Sequence, residues 1–166
     1  SAASDVYKRQ KEGCFGEDCW RYVKRDYEKL PVKPVLDGEP SYEWVVQGLH
    51  DLTQPYWKAA DVRRYAYWDV FAGAAGHTYG HNSIMQFYRD LSQKGAFGAK
   101  YLWSDAIHHP GGAQMIHLKK LMESVDYGNG RPAQELLLME EGLKYDYVSV
   151  FAGCLLYTSD AADDLT

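Results

Sequence analysis

The chain has 166 residues, a formal net charge of −5 and no basic tract, which argues against a nucleic-acid partner. No apolar run approaches the ~18 residues that a membrane helix needs, so no membrane span is read from it. Aromatic residues reach 14%, with 14 Tyr and 5 Trp, and this is the one compositional excess.

The two ends read as artefacts of DNA handling. Residues 1–10 and residues from Cys154 onward can be encoded by opposite strands of one DNA segment in shifted frames. That segment resembles the transposase adaptor of sequencing libraries. Segments 1–10 and 154–166 are therefore set aside before the fold is considered, and 11–153 is taken as native. Cys14 and Cys19 remain, and their spacing is not that of a paired zinc-ligand motif, so both read as plain thiols.

In chain order, Asp18 is placed to cap a helix over 18–30, with Trp20, Val23, Tyr27 and Leu30 on one face and Pro31 ending it. Residues 33–36 read as a short buried parallel strand, stopped by Asp37-Gly38-Glu39-Pro40. Residues 39–60 form a long, aromatic-rich connection. Asp61 is placed to cap a second helix over 61–74, and 76–82 is a second short strand and its exit. The signal over 85–109 is loop-like, and Pro110 opens a third helix to about Val125. Helix, strand, loop, helix, strand, loop, helix is the repeating unit of a parallel α/β protein. The turn residues from Tyr127 to Pro132 mark a boundary at 126–131. Beyond it, 135–139 and 144–151 read as two strands of an all-β piece spanning 131–153.

Glu39 carries two readings, a solvated Asp-Gly turn or a catalytic carboxylate at a strand's carboxyl end. His77, Tyr79 and His81 alternate and so share one strand face. They suit contacts to sugar hydroxyls. A zinc site on His77 and His81 is an alternative, although the spacing specifies no third ligand. His108, His109 and His117 read as surface residues. Arg63 or Arg64 could pair with a site carboxylate. The chain has no glycine-rich phosphate loop and no G-x-S-x-G elbow.

Four ordered blocks carry a family resemblance. They are Lys33-Pro34-Val35-Leu36-Asp37-Gly38-Glu39-Pro40-Ser41-Tyr42-Glu43, then Asp61-Val62-Arg63-Arg64-Tyr65-Ala66-Tyr67-Trp68, then Val70-Phe71-Ala72-Gly73-Ala74, then Gly76-His77-Thr78-Tyr79-Gly80-His81-Asn82. Together they resemble the apiosidase-like glycoside hydrolases (family 140), and the match continues through Gln114-Met115 to Leu121-Met122. The resemblance implies an α/β fold, a fragment of a (β/α)8 TIM barrel followed by the start of a small all-β domain. Residues 33–36 would be strand seven and 76–80 strand eight, so that 11–126 is the C-terminal part of the barrel. It implies Glu39 as nucleophile, and a carbohydrate substrate from plant cell-wall polysaccharide. Tyr42, Glu43, Trp44, His50, His77, Tyr79 and His81 would line the sugar subsite, with no metal and no cofactor. It also implies export, to the periplasm or outside a bacterium.

In this family the acid/base partner looks like an Asp in a Gly-Gly-Asp motif after strand four. This chain has only Gly111-Gly112, followed by Ala113. The expectation is therefore a fragment that is poorly folded and inactive by itself. The competing expectation is a non-catalytic carbohydrate- or matrix-binding protein on the same scaffold. The sequence is silent on oligomeric state.

Overall fold

The computed structural model describes Gly16 and residues 18–154. Cys14 and the adaptor-like ends, apart from the backbone of Cys154, lie outside the described residues. The elements run α1 Cys19–Tyr27, β1 Leu36–Asp37, α2 Ala59–Phe71, β2 Gly76–His77, α3 Asn82–Met85, α4 Trp103–Ala106, α5 Pro110–Glu123, β3 Asp126–Pro132 and β4 Phe151–Cys154. Short 3-10 turns stand at Ala96–Gly98, Gln134–Leu136 and Lys144–Asp146.

β1 and β2 pair in parallel, with Leu36 opposite Gly76 and Asp37 opposite His77. Flanking bonds from Ala75 N–H to Val35 O (2.7 Å) and Thr78 N–H to Asp37 O (3.0 Å) extend the pairing. A parallel pair needs a crossover, and α2 supplies it. α2 is the centre of the molecule. Its Tyr65 and Trp68 pack with Val45, Trp57 and Tyr147, while Ala66 and Val70 pack with Leu118 and Met122 of α5. α1 closes one side through Val23, which meets Ala72 and Ala74. The ring of Tyr27 lies against Gly73, whose φ of +106° and lack of a Cβ both suit glycine alone.

The expected helices are present, with two changes at their starts. Asp18 holds the N-cap position of α1 but makes no side-chain capping bond. α2 begins two residues before Asp61, whose carboxylate reaches back to accept the Lys58 N–H at 2.9 Å. That places the acid in the first turn, where the helix dipole favours it. The stretch read as loop, 85–109, contains α4 and one 3-10 turn, and α3 stands at its start, at the exit of the expected second strand.

The expectation of a buried strand over 33–36 is corrected. The strand is two residues long, and Leu36 is 64% exposed. Strand alternation sends Asp37 to the helix-covered side and Leu36 to the other face.

The C-terminal reading is also corrected. The turn-like stretch Asp126–Pro132 is itself a strand, antiparallel to Phe151–Cys154, with Arg131 opposite Ala152 and Pro132 opposite Phe151. The stretches expected as strands hold the 3-10 turns Gln134–Leu136 and Lys144–Asp146 instead. Glycine at position 130 allows this pairing, because a side chain there would collide with the Phe151 ring. Phe151 in turn packs on Phe71 of α2 and on Tyr127.

Candidate active site

The site is built where β1 and β2 end. Beyond Asp37 the chain turns at Gly38, and Asp37 Oδ1 accepts the Glu39 N–H at 3.3 Å. This turn leaves the Glu39 side chain exposed. Tyr42 follows, its ring lying over Gly80 so closely that any side chain at 80 would overlap it. The Tyr42 hydroxyl is pushed above the usual tyrosine range by burial and then by the charges of Glu39 and Asp37. These three residues therefore share one mouth.

The chain then runs back into the body of the molecule. Glu43 N–H donates to Gly80 O and Asn82 N–H donates to Glu43 O, both at 2.9 Å, which continues the parallel pairing past the strand ends. Glu43 and His81, the bridged pair, are each 1% exposed. Tyr79 O–H donates to Glu43 Oε2 at 2.6 Å. Burial, then the bond to Glu43, holds that phenol well above the tyrosine range. The Glu43 carboxylate lies against Gly111 in the first turn of α5, where a larger residue would collide with it. The positive end of a helix dipole stabilises a carboxylate at such a place.

His81 Nδ1 accepts the Ser83 N–H at 3.1 Å, which leaves the imidazole proton on Nε2 to be donated to His109 Nδ1 at 2.9 Å. Burial, then the charge on His109, pushes His81 down to about 4. His109 is therefore no plain surface residue. It packs edge-on with Tyr101, at 4.7 Å between centroids, and Tyr101 packs edge-on with Trp44 at the same separation. Lys58 Nζ sits 3.1 Å from the centre of the Trp44 ring, and Lys100 Nζ sits 4.0 Å from that of Tyr56. Trp44 takes a left-handed φ of 60°, and buried Asn82 donates to its carbonyl at 2.8 Å, fixing the turn that presents the indole.

The sequence-selected residues thus divide. Glu39, Tyr42 and Trp44 reach accessible surface, and His50 is exposed against Phe97. Glu43, Tyr79 and His81 form a hydrogen-bonded layer behind them. His77 takes a different partner, Asp69 of α2, with Nδ1 3.0 Å from Oδ2. His77 and His81 consequently do not converge as a ligand pair. Arg63 bonds Gln114 of α5 and so ties the two helices, while Arg64 pairs with Asp61 of its own helix at 3.2 Å.

Sequence reasoning missed Asp69, Tyr101 and His109. Asp69 had a signal: it is a charge on the apolar stripe of α2, three residues after Ala66 and seven after Val62. Its carboxylate, Asp37 and His77 form one cluster. Burial, then the charge on Asp69, pushes Asp37 up to about 6.

The profile of a family described as apiosidase-like, catalytic domain, matches residues 4–129. A solved structure titled "Glycoside hydrolase" is 50% identical with a TM-score of 0.78, covering 82% of this chain and 31% of that one. A glycoside hydrolase family 5 protein from Bacteroides vulgatus is 46% identical, again with a TM-score of 0.78, covering 82% of this chain and 30% of that one. The chain thus spans under a third of the length of either structure. No curated protein matches it.

Proposed function

The chain belongs to the family of apiosidase-like glycoside hydrolase catalytic domains, and from that premise we propose that it carries the nucleophile half of a retaining glycosidase centre, with Glu39 as the attacking carboxylate. The observation that carries the reading is the exposed Glu39 side chain just past the carboxyl end of a parallel strand. In parallel α/β folds reacting groups collect at that end. Asp37 Oδ1 holds the Glu39 backbone, so the turn is ordered while the carboxylate stays accessible.

In the proposed reaction, a Glu39 oxygen attacks the anomeric carbon and the glycosidic C–O bond breaks, giving a glycosyl ester on Glu39. The leaving oxygen takes a proton from a second carboxylic acid, which in retaining enzymes lies about 5–5.5 Å from the nucleophile. Water, deprotonated by that same group, then releases the sugar and restores Glu39. The second carboxyl is assigned to the strand-four region of a longer polypeptide. The 166-residue chain is accordingly expected to be inactive alone. Tyr42 and Trp44 are the proposed contacts to the sugar, with His50 further along the rim. Glu43, His77, Tyr79 and His81 keep those contacts in place. The substrate class we assign is plant cell-wall polysaccharide bearing apiose, met outside the cytoplasm.

The test is a chimera in which this chain replaces the matching part of the 46% identical Bacteroides vulgatus protein. Glu39→Gln in that chimera should lower kcat by on the order of 10⁴-fold with the fold intact, the scale seen when a reacting side chain is removed. A 2-fluoro glycoside should label Glu39 in the unsubstituted chimera. Turnover that survives Glu39→Gln removes Glu39 from the mechanism. Sugar binding without turnover in an otherwise intact chimera favours the non-catalytic reading.

A further inference from the structure

We propose that Asp37, Asp69 and His77 form a binding site for one divalent transition-metal ion, clamped between β1, β2 and α2. This goes beyond the glycosidase reading and uses none of its proposed sugar contacts at Glu39, Tyr42 or Trp44, although it shares with that reading Asp37, which orders the Glu39 turn, and His77, which stands behind the contacts. The three side chains come from three elements. Asp37 and His77 face one another across the parallel pair, and Asp69 projects from the crossover helix. One ligand atom from each lies within 4.8 Å of the other two.

Two further observations point to a cation. Asp69 is fully buried, with Oδ2 engaged by His77 at 3.0 Å; its side chain also neighbours the Asp37 carboxyl, which can bond it only when one of the two acids is protonated, so with both ionised Oδ1 has no donor among the described residues. A buried carboxylate oxygen without a partner is costly. The charges also fit. Two carboxylates with a neutral imidazole carry two negative charges, which one divalent ion neutralises. One imidazole with two carboxylates suits zinc, manganese or cobalt better than calcium, which prefers all-oxygen shells. Metal–ligand bonds of about 2.0–2.2 Å place neighbouring ligand atoms roughly 3.0–3.5 Å apart, so a modest contraction of the cluster completes the set. Asp37 is only partly buried, which leaves a route for the ion and room for a water as fourth ligand.

The experiment is a titration of the full chain with zinc, followed by calorimetry and thermal unfolding, with cobalt(II) as a spectroscopic probe. One ion per chain should bind, raising Tm in a way that a chelator reverses. Asp69→Asn, which keeps volume, and His77→Asn, which removes the ring nitrogens, should each weaken binding at least ~10-fold. Circular dichroism checks the fold of each variant. Should either lose helicity, Asp37→Asn carries the same expectation at the least buried ligand. The double variant His50→Ala, His117→Ala should bind as tightly as the parent chain. Absence of saturable binding, binding unchanged in the Asp69 and His77 variants, or a thiolate-to-cobalt charge-transfer band would each overturn the proposal.

Discussion

Glu39 and Glu43 stand four residues apart on one connection and meet opposite fates. Glu39 ends an ordered turn with its carboxylate in solvent. Glu43 is 1% exposed, accepts a 2.6 Å bond from Tyr79 and rests on the first turn of α5. The difference teaches what each kind of carboxylate is for. One that is buried, bonded to a phenol and packed against a helix terminus ties elements together and is closed to a substrate. One held only through its backbone keeps its lone pairs for a substrate.

Four measurements break or sharpen that contrast. The largest effect on stability is expected at Glu43. Glu43→Ala removes the buried acceptor, opens a void and strands the Tyr79 hydroxyl, and should cost about 3 kcal/mol in denaturant unfolding. A loss under ~1 kcal/mol would mean that Glu43 is not locked in place, and the contrast with Glu39 would fail.

The second tests the buried layer by pH. His81 ionises at about 4 in the folded chain, against an ordinary value of 6.5. The unfolded chain therefore takes up its proton first as pH falls, and stability drops between about pH 6.5 and 4, by up to ~3 kcal/mol. Above pH 6.5 this residue contributes no slope. His81→Asn should flatten the curve in that window, and an unchanged slope would assign the titration elsewhere.

Tyr79→Phe is milder. It leaves the Glu43 oxygen without its donor but keeps the ring over Gly112, for an expected cost of about 1–2 kcal/mol in unfolding experiments. The smallest effect belongs to Glu39→Gln, which should change stability by no more than ~0.5 kcal/mol, as exposed substitutions do. A large stability change there would mean that the turn depends on the charge, and the contrast with Glu43 would fail.

Much of this architecture is legible in order along the chain. The apolar spacing of Val62, Ala66 and Val70 marks α2, Pro110 marks the first turn of α5, and the Asp37-Gly38-Glu39-Pro40 stop marks the end of β1. The C-terminal ribbon was not legible. Leu136, Leu137, Leu138 and Met139 look like a strand, yet Leu138 and Met139 are exposed, while glycine-rich β3 does the pairing. What decides there is the Phe151 ring seated on Gly130, a contact made over some twenty intervening residues.

The candidate site divides the same way. That a carboxylate stands just beyond a parallel strand, and which family the chain belongs to, follow from contiguous residues, because helix period, strand stops and ordered motif blocks are local properties. That Glu43 is locked, that His109 partners His81, and that Asp69 joins Asp37 and His77 arise only once the crossover helix and α5 pack against the strand ends. Burial and through-space hydrogen bonding set the role of an ionisable side chain, and neither is a property of its neighbours in sequence.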